Sequence, residues 1–249
     1  MAALECSLAD VLESMRRGVF FGGAGVSTES GIPDFRSEAG RFRARQAYGH
    51  QPEELLSIDL ALAKPELFHR YYRENLVDLT ARPNPAHQVL AALEDRGRLS
   101  AIVTQNIDGL HQAAGSHNVL ELHGSSWRHH CVDCDRAYAL EWTLDPVNCR
   151  QPAGVVPTCV DCGSWVRPDV VLYGESLPEE TVGAAIEAIC EADVLIVGGT
   201  SLAVYPAAGL VQFFQGETLV VINLEPTALD ASADLVIAAP IGQTLASAL

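Results

Sequence analysis

Basic residues are scarce. The 249-residue chain carries 16 Lys and Arg against 32 Asp and Glu, a formal charge of −16. Such a surface repels phosphate backbones, so no nucleic acid is expected as a partner, and basic peptides or proteins are favoured. Long apolar runs are missing as well. The strongest, 194–197 and 219–224, are strand-sized and fall short of the roughly 18–20 residues of a membrane span, so no membrane is expected either. The start, Met1 to Cys6, has neither a basic nor an apolar leader region, and no signal peptide is expected. Charged residues make up 19% against 48% hydrophobic, which excludes intrinsic disorder and allows a core without disulfide support. Internal repeats and low-complexity tracts are absent. The seven cysteines do not pair evenly, and four of them form two Cys-x-x-Cys pairs. That pattern points to metal binding in a reducing, cytoplasmic compartment.

What is present is an α/β rhythm. Residues 7–17 have the apolar spacing of an amphipathic helix, and 18–21 read as a buried strand ending in Gly22-Gly-Ala-Gly25. Residues 36–50 lack apolar periodicity and read as an irregular loop. Helical patterns follow over 52–79, with Pro52 and Pro65 placed to open helices, and over 86–96. Strands are expected at 99–104, 119–122, 170–173, 194–198, 219–223 and 233–238, and helices at 178–191, 207–214 and the C-terminus. Continuous apolar strands alternating with helices imply a parallel sheet with helices on both faces. Residues 128–168 break the rhythm: five cysteines and four prolines with little periodicity suggest a small metal-stapled module.

Several strand ends carry chemistry. The turn Gly22-Gly-Ala-Gly-Val-Ser-Thr28 would let the backbone approach a pyrophosphate at the following helix N-terminus. By itself it is equally compatible with a plain strand-to-helix turn, because Thr28 stands where a third glycine is usual and no acidic residue follows about 20 positions on. Gly31-Ile-Pro-Asp-Phe-Arg36 adds a carboxylate, a ring and a guanidinium beside it. After the 99–104 strand, Gln105-Asn-Ile-Asp108 offers an amide and a carboxylate that together can recognise a carboxamide, or that can serve as an Asx-turn. His111 reads as structural. His123, at a strand end before Gly124, is a general-base candidate. Cys131, Cys134, Cys159 and Cys162 suit a closed tetrahedral zinc site, hence a structural one. Cys149 reads as a bystander that could substitute as a ligand. Gly199-Thr-Ser201 and Asn223 supply further donors for phosphate, ribose or adenine.

In order, Gly-Ala-Gly-x-Ser, Gly-Ile-Pro-Asp-Phe-Arg, Thr-Gln-Asn-Ile-Asp-x-Leu-His, Glu-Leu-His-Gly, the two Cys-x-x-Cys pairs, Arg-Pro-x-Val-Val-x-Tyr-Gly-Glu, Gly-Thr-Ser-Leu-x-Val-Tyr-Pro and Ile-Asn resemble the sirtuin family of NAD-dependent protein deacylases, over about residues 18–225. The resemblance implies a Rossmann-like domain of 1–36, 86–127 and 170–249. It also implies a small domain made of a helical insertion, 37–85, and a zinc ribbon, 128–169. It further implies one structural zinc ion, NAD as co-substrate and acyl-lysine peptides as partners.

Family roles would then fall on particular positions. Gly23, Ala24, Gly25, Thr28, Asp34, Phe35 and Arg36 would line NAD, and Gln105, Asn106, Ile107 and Asp108 would face nicotinamide and its ribose. Gly199, Thr200, Ser201, Asn223, Leu224 and Glu225 would hold the phosphate and adenosine side. His123 would be the catalytic base, aided by Asn106 and Asp108, and would with Val171, Tyr173, Gly174, Glu175 and Val204 flank the substrate, an added strand. Gly22 departs from the family, which often has Thr there. The implied reaction starts with attack of the acyl-lysine oxygen on the ribose carbon as nicotinamide leaves. It yields free lysine and O-acyl-ADP-ribose. Protein mono-ADP-ribosyl transfer and a zinc-ribbon binding protein with NAD as ligand are the alternatives.

Acyl choice can be read from the same resemblance. In relatives that prefer succinyl or malonyl lysine, a Tyr-x-x-Arg pair in the helical insertion is thought to bind the acyl carboxylate. Here His69 and Tyr72 stand at those places, which implies acetyl or another neutral acyl group over succinyl. Arg70 and Arg73 lie close in sequence, and Ala47 would leave room for a larger acyl group.

Overall fold

The computed structural model describes residues 7–33, 38–150 and 154–249. Nine strands are described: β1 (Gly18–Gly22), β2 (Leu99–Thr104), β3 (Val119–Glu121), β4 (Gly124–Cys131), β5 (Ala137–Ala139), β6 (Val166–Val170), β7 (Val194–Gly198), β8 (Thr218–Ile222) and β9 (Leu235–Ile237). Ten α-helices accompany them: α1 (Leu8–Ser14), α2 (Glu38–Tyr48), α3 (Pro52–Leu55), α4 (Ile58–Ala63), α5 (Pro65–Asn75), α6 (Pro85–Asp95), α7 (Leu110–Ala113), α8 (Leu140–Leu144), α9 (Glu179–Glu191) and α10 (Ile241–Ala248).

Six strands form one parallel sheet in the order β3-β2-β1-β7-β8-β9. Alternate residues face opposite sides, because successive side chains of a strand point apart. Phe20, Ile102, Ile196, Val220 and Ile222 pack under α1, α6 and α10 through Leu12, Leu90 and Leu245. Val19, Phe21, Val103, Leu195, Val197 and Val221 pack on the opposite face under α9 and the 3₁₀ segment Ala207–Phe213. Both faces are covered, which is why these strands read as unbroken apolar runs. The chain leaves β1 toward β2 and β3 on one side and toward β7, β8 and β9 on the other. The sheet therefore reverses direction between β1 and β7, and open α/β sheets bind ligands outside the carboxyl ends at such a point.

A second, three-stranded antiparallel sheet, β5-β4-β6, carries the cysteine knuckles. Helices α2 to α5 pack beside it. Leu55, Phe68 and Tyr71 share a cluster with Val170 and Leu172, and Ile107 and Trp165 lie against it.

Two local expectations are corrected. The stretch read as an irregular loop, 36–50, holds α2 over its described part. Its Ala, Arg, Glu and Gln are strong helix formers whatever their pattern, and buried Ala44 anchors it. The strand expected at 170–173 is displaced: the ladder runs over Val166–Val170 and belongs to the small sheet. Pro168 and Arg167 disguised it, and Arg167 is accommodated because its guanidinium is paired.

Candidate active site and metal centre

The turns after β1, β2, β3, β7 and β8 all open at one edge of the large sheet. After β1 the chain makes two 3₁₀ turns, Ala24–Val26 and Thr28–Ser30, where the sequence suggested a helix N-terminus. Outside contacts hold this segment. The Asn84 amide donates to the Val26 carbonyl (2.7 Å) and the Ser30 hydroxyl (3.0 Å) while its oxygen caps α6. The Glu29 carboxylate accepts the Gly242 N–H at the start of α10 (2.7 Å).

Gly25 and the turn after β7 meet backbone to backbone. The Gly25 N–H donates to the Gly199 carbonyl at 2.8 Å, and a Cβ on Gly25 would stand 2.8 Å from Gly199. Gly23 faces the Thr200 side chain, whose Cβ a Cβ on Gly23 would approach to 3.0 Å, so glycine at both positions lets the two loops close on the place where a pyrophosphate would rest. The Gln105 side chain donates to the Thr200 hydroxyl (3.2 Å) and ties the turn after β2 to the same corner.

Asn106 and Asp108 are joined through Ser27. The Asn106 amide donates to the Ser27 hydroxyl (3.1 Å), which donates to Asp108 Oδ2 (2.6 Å), while Asp108 Oδ1 accepts the Leu110 N–H (2.9 Å). Ser27 is 1% exposed, and the sequence reading passed over it although it sits inside the glycine turn. Close to Asp108 lie two rings, His87 and His111, with centroids 4.8 Å apart and planes tilted by 59°. Burial holds both neutral: it pushes His87 down to about 4 against the pull of the Asp108 charge, and His111 down to about 3.

His123 is half-buried, with Nδ1 2.8 Å from the Gln105 carbonyl. A carbonyl only accepts, so Nδ1 carries the proton and Nε2 is the basic nitrogen of the neutral ring. The His123 carbonyl in turn accepts the Val171 N–H (3.0 Å). The segment that follows is strung between two elements. The Tyr173 N–H donates to the Leu56 carbonyl (2.9 Å), and the Tyr173 carbonyl accepts the Ile58 N–H (3.0 Å). Glu175 turns away from solvent toward Arg167, with both carboxylate oxygens engaged at 2.7 and 2.8 Å, and Oε2 also accepts the Leu172 N–H. The pair and that N–H hold the Glu175 carboxyl below the usual carboxylate range, outweighing its partial burial.

One cleft, about 1180 Å³ with its open mouth included, gathers Ala24, Ser27, Gln105, Asn106, Ile107, Asp108, His123, Val171, Tyr173, Gly174, Glu175 and Val204. Gly23, Gly25, Thr28, Gly199, Thr200 and Ser201 lie outside its lining on the same sheet edge. So do Asn223, whose amide donates to the Glu225 carbonyl, and Leu224. Asp34, Phe35 and Arg36 fall outside the described residues. Arg167, which braces Glu175, opens the Arg-Pro-x-Val-Val-x-Tyr-Gly-Glu motif, but the sequence reading assigned it no role, because its partner lies eight residues on.

The positions read as an acyl-carboxylate pair do not reach this cleft. His69 and Tyr72 are each 1% exposed and pack against Trp165 and His129 of the ribbon; Tyr72 donates to the Ser126 carbonyl. Arg73 is spent on the Thr143 carbonyl and Cys149 Sγ, Arg70 is exposed, and Ala47 is exposed instead of lining the cleft. Asn75 and Leu76, one turn further along α5, line it instead.

In the ribbon, the sulfurs of Cys131, Cys134, Cys159 and Cys162 lie within 4.8 Å of one another, with the closest pairs at 3.4 and 3.6 Å. Disulfide sulfurs would be about 2.05 Å apart, whereas four thiolates at about 2.3 Å from one zinc stand roughly 3.8 Å apart. The cluster fits a structural zinc ion and leaves no open coordination position. Cys149 Sγ points to the Thr143 and Asp145 carbonyls, outside this group.

A Rossmann-like sheet with glycine-lined turns at its switch point, a cleft histidine beside them and a four-thiolate cluster that fits a structural zinc ion define a nucleotide-using enzyme of α/β architecture. The Sir2 family profile matches residues 23–206, and the chain belongs to that family. It is 51% identical over 91% of its length to an NAD-dependent protein deacetylase of Clostridium acetobutylicum, of which 90% is covered. A second deacetylase of that name, from Clostridium perfringens, is 50% identical over 96% of this chain and 95% of its own. A solved Sir2 structure with a p53 peptide and NAD+ superposes with a TM-score of 0.83 at 38% identity, covering 95% of this chain and 93% of the other.

Proposed function

We infer that this protein is an NAD-dependent protein-lysine deacetylase that prefers neutral acyl groups and basic substrates. The observation that carries the reading is the cleft: His123 Nε2 is left basic by the Gln105 carbonyl, in one cavity with the Asn106–Ser27–Asp108 chain. NAD, when bound, supplies an electrophilic ribose carbon with a cationic leaving group.

The chain's own residues would do the rest. Gly23, Gly25, Gly199, Thr200 and Ser201 would take the pyrophosphate, with Thr28, Asp34, Phe35 and Arg36 beside it. Asn223, Leu224 and Glu225 would face the adenosine. Asn106 and Asp108 would orient the carboxamide, their rotations limited by Ser27. His123 would accept a ribose hydroxyl proton at Nε2, and a positioned base of this kind typically contributes about 10²–10⁴-fold. The edges at Val171–Gly174 and Val204 would receive the peptide as an added strand, with Glu175 bracing the first edge through Arg167. We assign NAD binding to residues 1–36, 86–127 and 170–249, and the covering unit to 37–85 and 128–169.

Acyl choice rests on charge. Among the described residues lining the cleft there is no Lys or Arg, and Asp108 and Glu175 are its carboxylates. A succinyl carboxylate would enter without a cation, which is strongly disfavoured. The −16 charge supports basic substrates. The thiols, none in a disulfide among the described residues, suit a cytoplasmic setting. Among the described residues no helix is long and apolar enough to cross a membrane. Matched acetyl- and succinyl-lysine peptides test the acyl choice through kcat/KM. A higher value for acetyl is expected, and a higher value for succinyl would overturn it.

A further inference from the structure

The far side of the nicotinamide-facing turn is held by an irregularity in β4. Its ladder with β6 pairs Gly124 with Val170 and Ser125 with Asp169, and resumes only at His129 with Pro168. Residues 126–128 are extra residues on one strand. Such bulges release backbone groups from the ladder and re-aim side chains.

All three released residues are used. Ser126 donates to the Ile107 carbonyl twice, from its N–H (2.9 Å) and its hydroxyl (2.7 Å). The Trp127 indole N–H donates to the Asp108 carbonyl at 2.7 Å. Arg128 ties the bulge to Glu121 (2.8 Å) and Asp169 (3.1 Å).

Gly109, the next residue of the turn, has a φ of +71°, and a Cβ there would stand 2.7 Å from two atoms of the Trp127 ring. The indole therefore lies on the bare backbone of the turn. It is 42% exposed, so burial alone does not explain its placement.

We propose that Trp127 is a positioning residue for the nicotinamide end of the site, an inference that rests on the NAD-dependent reading. Asp108 is gripped from both sides. Its carboxylate is held by Ser27 and the Leu110 N–H inside the cleft, and its carbonyl by Trp127 outside it. Together these contacts fix the backbone setting from which the carboxylate is aimed. Preorganisation of this kind lowers the cost of ordering the turn when ligand binds. Indole suits the place because it is a pure donor with a flat face for a glycine.

The test compares Trp127→Phe, which keeps a ring on Gly109 and loses the N–H, with Trp127→Ala, in the full-length zinc-loaded protein. The readouts are the KM values for NAD and for an acetyl-lysine peptide, the nicotinamide inhibition constant, and Tm. Losing one such hydrogen bond is expected to raise the NAD KM and the nicotinamide constant together, by about 2- to 10-fold. The peptide KM should stay unchanged, and the alanine variant should show the larger shift. Unchanged NAD and nicotinamide constants in Trp127→Phe would overturn the proposal. So would a uniform loss of active protein with a lowered Tm and intact constants. A wild-type protein that releases no nicotinamide from NAD and peptide would instead overturn the deacetylase reading, and this inference with it.

Discussion

The two sheets are built by different physics. The parallel sheet has two apolar clusters, one on each face, drawn from all its long strands and from helices α1, α6, α9 and α10. The ribbon's own cluster has three buried residues, Cys131, Cys159 and Val166, and two of these belong to the four-cysteine group that fits a zinc ion. Burial of apolar surface can hold the first without help. In the second, too little is buried, and four thiolates around an ion must supply the cohesion. Yet the site needs both. The turns that would face NAD leave the parallel sheet, while Ser126, Trp127, Arg167 and Glu175, which brace those turns and the peptide edge, belong to or follow the ribbon's strands.

The largest effect should therefore come from removing metal. Chelation, or Cys131→Ser together with Cys159→Ser, is expected to abolish activity and unfold the ribbon while much of the parallel sheet persists. Hydrogen exchange read strand by strand checks this. Equal protection in β4 to β6 and in β1 and β7 without metal would erase the distinction. Next comes His123→Ala, for which kcat should fall by about 10²–10⁴-fold with zinc content and NAD binding retained. Near wild-type turnover would remove His123 from the chemistry.

Acid should act on both regions by the same route. Burial pushes His69 down to about 3 and His129 down to about 4 at the ribbon, and His87 and His111 down to about 4 and about 3 beneath the sheet edge. The unfolded chain takes up protons below about 6.5, where the folded one does not. This contribution to stability is fully present above about 6.5 and declines as pH falls, toward about 4 for His87 and His129 and toward about 3 for His69 and His111, by at most about 1.4 kcal/mol per pH unit for each histidine. Denaturant midpoints at pH 7.5, 6.0 and 5.0 check the trend, and His69→Phe should flatten it in the ribbon alone. The smallest effect is expected from Glu175→Gln. It leaves the Arg167 guanidinium half-paired and should raise the peptide KM severalfold with the NAD KM unchanged. A shift confined to NAD would place Glu175 on the wrong side of the cleft.

Much of this was legible in the chain itself, for physical reasons that differ by element. β1, β2, β7 and β8 are buried on both faces, so their apolar runs announce them, and the polar residues directly after each strand fall at the carboxyl edge by necessity. The four cysteines are fixed by ligand spacing. β6 was misplaced because an Arg-Pro pair inside a strand makes sense only once Glu175 is known to sit opposite. Helix α2 has propensity without periodicity. His69 and Tyr72 were placed by analogy of sequence, but α5 turns that face into the ribbon and offers its last turn to the cleft. Ser27 and Trp127 act through partners about 80 and 19 residues away, and no local pattern marks such contacts.

The central claim is that the cleft couples NAD cleavage to acyl transfer from lysine. Its most direct test is a product balance by mass spectrometry with NAD and an acetyl-lysine peptide. Equal amounts of nicotinamide, deacetylated peptide and O-acetyl-ADP-ribose are expected. Nicotinamide release with ADP-ribose on a protein side chain and the peptide still acetylated would contradict it.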